Sequence, residues 1–319
     1  MIRSTSPVLV TGAAGFVGSH LIELLAREHT ALLAWRRPEP TPLPASNGVR
    51  WTDVELLDRP AVRQALEAAP PSAIYHLAGA PHVAQSWQHT RETYEVNVLA
   101  THNLFAALHE LGLAPRVVVT GSATIYRSQA RPIREDDEIS PASPYATSKL
   151  AQEMLARRVW EEDRIPAILA RAFNHIGPRQ DPSFVTASIA KQIARIEAGQ
   201  VPPVLKVGNL EPRRDLTDVR DTVRAYSALM RHGRPGVPYN VSSGRGLAIG
   251  DLVQTFVARA RRAVEIRQDP ALLRPNDVPL LVGDHSRLTA DTGWEPAISF
   301  DQTVDDLLEY WRARVQREA

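Results

Sequence analysis

The sequence predicts an α/β protein in which a doubly wound parallel sheet is joined to a smaller α/β lobe. Three observations support this fold class. Short β-branched and apolar runs alternate with amphipathic runs of helical length through the first half of the chain. A glycine-rich turn joins the first strand to the first helix. Beyond about residue 170 this spacing loosens, which predicts a second, smaller unit.

Composition excludes several classes of protein. The 319 residues are enough for two domains, and 37 Lys and Arg nearly balance 36 Asp and Glu. Because no strong electrostatic field results, neither a nucleic acid nor a membrane is expected as a partner. The chain has no cysteine, which excludes disulfides, thiolate zinc sites and cysteine nucleophiles and fits a cytoplasmic enzyme. Residues 1–7 are short and polar, so no signal peptide is expected, and no apolar run could span a bilayer.

The first strand begins at Val8 and leads directly into the glycine-rich turn. Its glycines are Gly12, Gly15 and Gly18. Glycine lets the backbone turn sharply and approach a pyrophosphate, and the following helix, predicted at residues 17–27, offers free N–H groups and a partial positive charge. The order strand, glycine turn, helix therefore predicts dinucleotide binding on a Rossmann-type sheet. The alternative is an ordinary glycine-rich turn.

The remaining elements follow from periodicity and from turn residues. Further strands are predicted at residues 30–35, 49–54, 73–77, 117–120, 165–170, 204–207 and 237–241. Further helices are predicted at residues 59–69, 91–111, 145–162, 184–198, 218–230, 249–262 and 301–317. The proline-rich residues 38–48 are predicted to be irregular. We expect residues 1–170 to form the cofactor domain, with 216–243 returning to it, and residues 171–215 and 244–319 to form the substrate-binding lobe.

Two basic residues follow the second strand, where dinucleotide folds contact the adenosine ribose. An acidic residue there binds the 2′-hydroxyl of NAD, whereas a basic residue accommodates the 2′-phosphate of NADP. Arg36 and Arg37 occupy this position, which favours NADP(H), with NAD(H) as the alternative cofactor. A pair of solvated arginines at the start of a loop would give the same pattern.

A serine, a tyrosine and a lysine form the candidate catalytic set. Ser122 follows the fifth strand, and in such sheets ligands bind at the carboxyl ends of the strands. Tyr145 and Lys149 are four residues apart, so they share one face of a helix. A ketone that accepts hydride needs a proton donor, and a neighbouring ammonium lowers the pKa of a phenol toward that task. A hydroxyl can hold the carbonyl oxygen in place.

Other polar residues have two interpretations each. Asn97, within the long predicted helix, is either a buried group that orients the site backbone or an exposed helix residue. His76 is expected to be a hydrogen-bonded strand histidine, and the ten histidines show no ligand spacing, so no metal is expected. Arg214 and Arg274 are either donors to a diphosphate or solvated side chains. No Gly-x-Ser-x-Gly elbow is present, which disfavours a hydrolase.

Longer motifs extend over essentially the whole chain. They are Thr11-Gly12-x-x-Gly15-Phe16-x-Gly18, His76-Leu77-Ala78-Gly79, Asn97, Ser122, Tyr145-x-x-x-Lys149 and Thr292-Gly293-Trp294-x-Pro296. Together they resemble the extended short-chain dehydrogenase/reductases. In the second half, the motifs are Arg171-x-Phe173-Asn174-His175-x-Gly177-Pro178-x-Gln180 and Arg214-Asp215-x-Thr217-Asp218. These resemble the GDP-sugar branch of that family.

The resemblance implies roles for individual residues. The cofactor contacts that it implies are Gly12, Gly15, Phe16, Val17, Gly18, Arg36, Arg37, Glu55, Leu56, Leu77, Ala78, Gly79, Asn97, Tyr145 and Lys149. The substrate contacts that it implies are Asn174, Arg214 and Arg274. Tyr145 would donate the proton, Lys149 would bind the nicotinamide ribose, and Ser122 would hold the 4-keto oxygen. The resemblance also implies a homodimer formed by the helices at 91–111 and 145–162.

One departure from the family pattern bears on the reaction. Related 4,6-dehydratases have carboxylates just after the serine position, whereas this chain has Ala123 and Thr124. Two acid–base steps need two titratable groups, so dehydration is disfavoured. The resemblance then implies NADPH-dependent reduction of the 4-keto group of a GDP-linked 6-deoxyhexulose, giving GDP-D-rhamnose. Related reductases often carry glutamate here as well, so an NAD-dependent nucleotide-sugar 4-epimerase remains an alternative, and a non-catalytic NADP sensor is a remote one.

Overall fold

The structure, a computed structural model, describes residues 6–28, 31–39, 48–273 and 278–318. Its strands are β1 (Val8–Thr11), β2 (Leu32–Arg36), β3 (Val49–Asp53), β4 (Ala73–His76), β5 (Arg116–Ser122), β6 (Ala167–Ala172), β7 (Asn174–Ile176), β8 (Val204–Val207), β9 (Arg213–Asp218), β10 (Pro238–Val241), β11 (Gly246–Ala248), β12 (Glu265–Gln268) and β13 (Leu280–Leu281). Its helices are α1 (Phe16–Arg27), α2 (Arg59–Ala68), α3 (Thr90–Tyr94), α4 (Ala100–Glu110), α5 (Pro144–Glu161), α6 (Val185–Glu197), α7 (Val219–His232), α8 (Ile249–Val257), α9 (Ser286–Thr292) and α10 (Phe300–Arg317).

Seven strands form one parallel sheet in the order β10-β6-β5-β4-β1-β2-β3. The chain starts at β1, builds one half of the sheet through β2 and β3, and then crosses back to place β4 on the other side of β1. This arrangement confirms the predicted doubly wound fold class. Because all seven strands point the same way, their carboxyl ends share one edge of the sheet.

Helices cover both faces of this sheet, which explains why its central strands are apolar on both sides. On one face α1 packs against α7, with Leu21 and Tyr226 in the shared core. On the other face α2 packs against α4, with Leu66 and Leu104 fully buried. Within the described ranges, no helix has the length and apolar character needed to cross a membrane.

The second half of the chain adds two small sheets. One consists of β11, β9 and β13, with β7 also paired to β9, and the other is the parallel pair β8 and β12. Helices α6, α8 and α10 pack beside them around Phe256 and Trp311. Helix α7 and strand β10 return to the seven-stranded sheet, and α9 packs against both of them. The boundaries at 170, 215 and 243 stay a prediction.

Several local expectations differ from the structure. Strands β7, β9, β11, β12 and β13 and helix α9 were not predicted, because these elements are short and most carry polar residues at their surface positions. The helix predicted at 249–262 ends at Val257. The predicted strand 165–170 runs from Ala167 to Ala172 and so includes Arg171. The residues predicted as the start of β2 and as the proline-rich loop lie partly outside the described residues, at position 30 and at 40–47.

The helix predicted at 91–111 is divided by a π-helical turn. Helix α3 ends at Tyr94, the π turn spans Glu95–Leu99, and α4 continues from Ala100. A π turn adds a residue to one turn of the helix and shifts the direction of its side chains, and such turns are frequent at functional sites. Here the inserted turn contains Asn97, which is fully buried.

Candidate active site

The glycine turn lies between the ends of β1 and β4. Gly12 has a φ of +66°, and a Cβ at this position would lie 2.7 Å from the backbone nitrogen of Ala78. A side chain there would therefore separate the two strand ends. Gly15 is the N-cap of α1 and makes no side-chain capping bond, so the first N–H groups of the helix stay available to an anion. The cradle fits the diphosphate of a dinucleotide.

Cofactor contacts implied by the resemblance share this edge of the sheet. Phe16, Val17 and Gly18 form the first turn of α1. Leu77, Ala78 and Gly79 directly follow β4, and Gly79 is exposed.

Ser122 and Tyr145 come together at the end of β5. The Ser122 hydroxyl lies 2.9 Å from the Thr124 hydroxyl, and the backbone N–H of Tyr145 donates to Ser86 at 3.1 Å. Ser143 caps α5 by accepting from Ala146 N, which fixes the turn of the helix that presents Tyr145. Burial raises the pKa of the Tyr145 phenol, and a hydrogen bond with Ser122 acts in the lowering direction. The net direction is upward, opposite to the lowering by Lys149 expected from the sequence.

Lys149 lies one helical turn beyond Tyr145, and its side chain is buried. Burial lowers the pKa of its ammonium group to about 7, because a charge is less stable away from water. Its Nζ donates a hydrogen bond to Gln152 Oε1. A Cβ placed on Gly79 would lie 4.0 Å from Nζ, so the ammonium faces the loop that follows β4.

Asn97 joins that same loop to α5 through hydrogen bonds. Its Oδ1 accepts from Ala80 N at 2.8 Å, and its Nδ2 donates to Ser148 Oγ at 2.9 Å. Ser148 in turn donates to the backbone oxygen of Tyr145 at 2.7 Å. Of the two interpretations left open by the sequence, the structure places Asn97 as the buried group.

A buried hydrogen-bond chain lies behind Lys149. His76 Nδ1 is 2.8 Å from Thr11 Oγ1, and its Nε2 is 2.9 Å from Thr101 Oγ1. The pKa of His76 is lowered to about 3, mainly because the ring is buried and to a smaller extent because of the charge of Lys149. His76 is therefore a neutral, hydrogen-bonded strand histidine. In the described part of the chain, no group of three or more acidic, histidine or cysteine side chains is arranged to hold a metal ion.

At the end of β2, where adenosine binding is predicted, Arg36 and Arg37 differ in burial. Arg36 is 6% exposed, and its Nε donates to Asp53 Oδ1 at 2.7 Å, across the ends of β2 and β3. Arg37 is exposed. Glu55 and Leu56 follow β3, where Leu56 O accepts a hydrogen bond from Asn103.

Two of the three predicted substrate contacts, Asn174 and Arg214, belong to the small sheet. Asn174 on β7 is exposed and pairs in register with Leu216 on β9. Arg214 is two residues before Leu216, so Asn174 and Arg214 lie on one face of that sheet. Arg274 lies outside the described residues.

Direct contacts join the small sheet to α1. The ring of Phe16 stacks on His175 with the centroids 5.9 Å apart. Arg179, which follows β7, forms two 2.8 Å hydrogen bonds with Glu23 of α1. His20 Nε2 donates to the backbone oxygen of Pro178 at 2.9 Å. The element that offers Asn174 is thus fixed to the helix that follows the glycine turn.

Comparison with known proteins agrees with this geometry. The family model described as GDP-mannose 4,6 dehydratase matches residues 9–307. The chain belongs to this family. The predicted membership of the extended short-chain dehydrogenase/reductases is therefore confirmed.

Individual proteins that are similar to this chain include a reductase and an epimerase that act on nucleotide sugars. The chain is 36% identical to GDP-6-deoxy-D-mannose reductase of Pseudomonas aeruginosa, over 98% of this chain and 100% of that protein. The structure of RMD from Pseudomonas aeruginosa complexed with NADPH matches with a TM-score of 0.86 and 35% identity, covering 97% of this chain and 100% of that one. UDP-glucose 4-epimerase of Thermus thermophilus, complexed with NAD, matches with a TM-score of 0.85 and 27% identity, covering 96% and 99%.

This family member also carries a buried ion pair that holds α5 on the sheet. Arg171 of β6 donates to both carboxylate oxygens of Glu153 on α5, at 2.8 and 2.6 Å, and both side chains are at most 4% exposed. Arg171 also donates to the Tyr126 hydroxyl at 2.6 Å and lies over that ring. The pair fixes α5 immediately after Lys149 and Gln152.

Sequence reasoning missed the groups that support the site. These groups are Gln152, which contacts Lys149, Thr101, which contacts His76, and Asp53, which contacts Arg36. None of the three belongs to the sequence motifs that carry the family resemblance. A signal was available for Gln152, because it lies three residues after Lys149 and so faces the same side of α5. Thr101 and Asp53 are brought to the site by tertiary contacts between separate elements.

We expect Glu153→Ala to lower the free energy of unfolding by about 3–5 kcal/mol, because it leaves the Arg171 charge buried without its partner. Glu162→Ala is the matched control at the end of the same helix. Glu162 pairs with Arg158 at 2.8 Å, and both side chains are exposed, so its loss should cost less than about 1 kcal/mol. Urea unfolding of both variants measures the difference. Equal losses would contradict the structural role given to the buried pair.

Proposed function

We propose that this protein reduces the 4-keto group of GDP-4-keto-6-deoxy-D-mannose to give GDP-D-rhamnose, with NADPH as the reductant. The observation that supports this most is the position of Ser122, Tyr145 and Lys149 beside the glycine turn, at one edge of the sheet. The similarity to a GDP-6-deoxy-D-mannose reductase supports the choice of substrate. A cytoplasmic location stays a prediction from the cysteine-free composition.

The proton is supplied by Tyr145. Burial raises the pKa of its phenol, so at neutral pH the hydroxyl keeps its proton, as a general acid must before it donates. Donation leaves a phenolate, which the positive charge of Lys149 stabilises. Ser122 holds the carbonyl oxygen by donating a hydrogen bond that strengthens as negative charge develops on that oxygen. When bound, the nicotinamide supplies the hydride.

The residues after Ser122 favour reduction over dehydration. Ala123 and Thr124 begin the 3₁₀ turn Ala123–Ile125, and neither has a titratable side chain. The Thr124 hydroxyl is instead 2.9 Å from the Ser122 hydroxyl. A reductase needs one proton donor, which Tyr145 provides, whereas elimination of water would need a base and an acid.

The substrate diphosphate would lie on the face of the small sheet that carries Asn174 and Arg214. An amide and a guanidinium offer the N–H donors that a diphosphate requires. Arg274 is proposed as a further donor from the resemblance alone.

For the cofactor we propose a preference for NADPH determined by Arg37. The Arg36 guanidinium is buried and hydrogen-bonded to Asp53, whereas Arg37 is exposed next to it at the end of β2. A 2′-phosphate placed at this strand end would meet the exposed guanidinium.

We also propose a homodimer formed by α3, α4, the π turn and α5. A largely apolar groove runs between these helices, and its lining residues are Tyr94, Glu95, Val98, Leu99, His102 and Leu155. Leu99 is 44% exposed and Met154 is 63% exposed. Exposed apolar side chains grouped in this way mark an interaction surface.

Tyr145→Phe should lower kcat for NADPH oxidation at least about 100-fold, because it removes the proton donor. The assay follows NADPH absorbance with GDP-4-keto-6-deoxymannose as substrate. Tyr310→Phe is the control, since its hydroxyl accepts a hydrogen bond from Arg314 on α10, a helix that carries none of the candidate catalytic residues. Full turnover in Tyr145→Phe would refute the proton-donor role. If the wild type oxidises neither NADPH nor NADH, and denatured protein releases NAD, the epimerase is the better assignment.

Arg37→Ala should raise KM for NADPH about tenfold and leave KM for NADH unchanged, because it removes one charged contact to the 2′-phosphate. Arg50→Ala removes an equal charge from the exposed surface of β3 and serves as the control. Initial rates with each cofactor give the comparison. An equal effect of Arg37→Ala on both cofactors would exclude this role for the guanidinium.

Leu99→Glu should convert a dimer to a monomer, because a charge in the apolar groove would be desolvated on association. Light scattering coupled to gel filtration measures the mass. Ile139→Glu, at another exposed apolar position, should leave the mass unchanged. A monomeric wild type would contradict the proposed assembly.

A further inference from the structure

Thr101 fixes the direction of the hydrogen bonds behind the candidate active site. Its hydroxyl lies 2.7 Å from Asn97 O, 2.8 Å from Gln152 Nε2 and 2.9 Å from His76 Nε2. A hydroxyl has one proton, and here it is donated to the backbone oxygen of Asn97. The other two contacts must therefore be donated to Thr101, one by the amide of Gln152 and one by the ring of His76.

This assignment orients both side chains. With its Nε2 proton directed at Thr101, neutral His76 accepts at Nδ1 from Thr11 Oγ1, 2.8 Å away. With its amide nitrogen directed at Thr101, Gln152 presents Oε1 to Lys149 Nζ. A flipped amide would place its N–H groups against the ammonium and its oxygen against a hydroxyl that has no proton left to donate. The buried chain thus permits one orientation of Gln152.

We propose that Gln152 is a positioning residue that holds Lys149 in its ammonium form and directs it toward the loop after β4. The inference rests on the proposed reduction for its kinetic consequences, since it assigns to Gln152 an effect exerted through Lys149. Gln152 itself is fully buried and contacts Thr101 and Lys149, so it acts without touching a ligand.

An amide suits this position better than a carboxylate. A neutral oxygen accepts a charge-assisted hydrogen bond and favours the ammonium without neutralising its charge. The nearest acidic neighbour on α5, Glu153, is paired with Arg171, and Glu95 of the π turn is paired with Arg91. Across the described residues, no carboxylate forms an ion pair with Lys149. Its charge therefore remains available to a phenolate at Tyr145.

Other titratable groups near Lys149 do not replace Gln152. His76 on β4 is the group whose pKa the charge of Lys149 lowers, and burial keeps it neutral at the pH of an enzyme assay. Tyr145 is protonated in the same range, because burial raises its pKa. Burial lowers the pKa of Lys149 to about 7, and the Gln152 oxygen is placed as the hydrogen-bond acceptor that would act against this lowering.

The chain is unusually suited to a direct test, because it has three lysines, Lys149, Lys191 and Lys206. Protein labelled with ¹³C at lysine Cε gives three signals whose shifts follow the titration of each amine. The Lys206 side chain is exposed and its Nζ lies 3.5 Å from Asp269, so its signal serves as the internal reference for an amine outside the candidate site. The measurement needs no substrate and no turnover.

Two variants separate the effects of the acceptor and of charge. Gln152→Met keeps the length of the side chain and removes the acceptor, so the titration midpoint of Lys149 should fall by about one pH unit. Gln152→Glu places a carboxylate beside the amine, so the midpoint should rise by at least about one unit. Gln192→Met is the matched control. Gln192 on α6 hydrogen-bonds the backbone of Lys206, at 3.0 and 3.1 Å, and its loss should leave Lys149 unchanged.

The kinetic arm uses the pH dependence of kcat. If the reaction needs the ammonium, kcat falls as pH rises through the pKa of Lys149. We expect this alkaline limb to move to lower pH in Gln152→Met and to higher pH in Gln152→Glu, with KM for the keto sugar within about twofold of wild type. A structural defect alone would lower the amount of active enzyme without moving the limb.

The outcomes are distinct. Midpoints and limbs that move together, in opposite directions in the two variants, support the positioning role. A Lys149 midpoint that is the same in wild type and both variants, or that moves equally in Gln192→Met, overturns it. If the wild type fails to oxidise NADPH, the proposed function fails, and the NMR titration alone then decides whether Gln152 holds the ammonium.

Discussion

The parallel alignment of the seven strands is the constraint on which the site depends. Parallel strands deliver their carboxyl ends to one edge, and β1 lies between β4 and β2, where the chain changes direction across the sheet. The glycine turn, the loop with Gly79 and Ser122 therefore meet without any long loop. Helix α5 then needs only to pack across β5 and β6 to bring Tyr145 and Lys149 to the same place.

Close packing at that edge buries several polar side chains. These side chains form hydrogen bonds with one another in place of water. Thr11, His76, Thr101 and Gln152 are all buried, and each has a hydrogen-bond partner within the set or on Lys149. An unsatisfied group at this depth would cost about 1–3 kcal/mol, so the directions of these bonds are strongly determined. The hydrogen bonds that stabilise this part of the interior therefore also orient the amine of Lys149.

The sequence predicted the first half of the molecule better than the second. Strands β1, β4 and β5 are apolar and buried on both faces, so short apolar runs locate them. Glycines mark the turns at or after their ends, and the Tyr145–Lys149 spacing marks α5. Strand β9 escaped prediction because it carries Arg213, Arg214 and Asp215. Arg213 and Asp215 are hydrogen-bonded to Gly246 and Ser243, which are distant in the chain. The π turn at Asn97 also escaped, since one inserted residue hardly changes the periodicity of a long helix.

The contacts of α1 with β7 and with the segment after β7 make the glycine turn and the proposed substrate strand mechanically dependent. Phe16 stacks on His175, and Glu23 accepts two hydrogen bonds from Arg179. These contacts, which form a clamp, join α1 to β7, the strand that carries Asn174. Any rotation of the small sheet must break this clamp or carry α1 with it. Ordering of the cleft by one nucleotide would then lower the entropy lost on capture of the other, so each ligand would favour the binding of the other, whichever binds first.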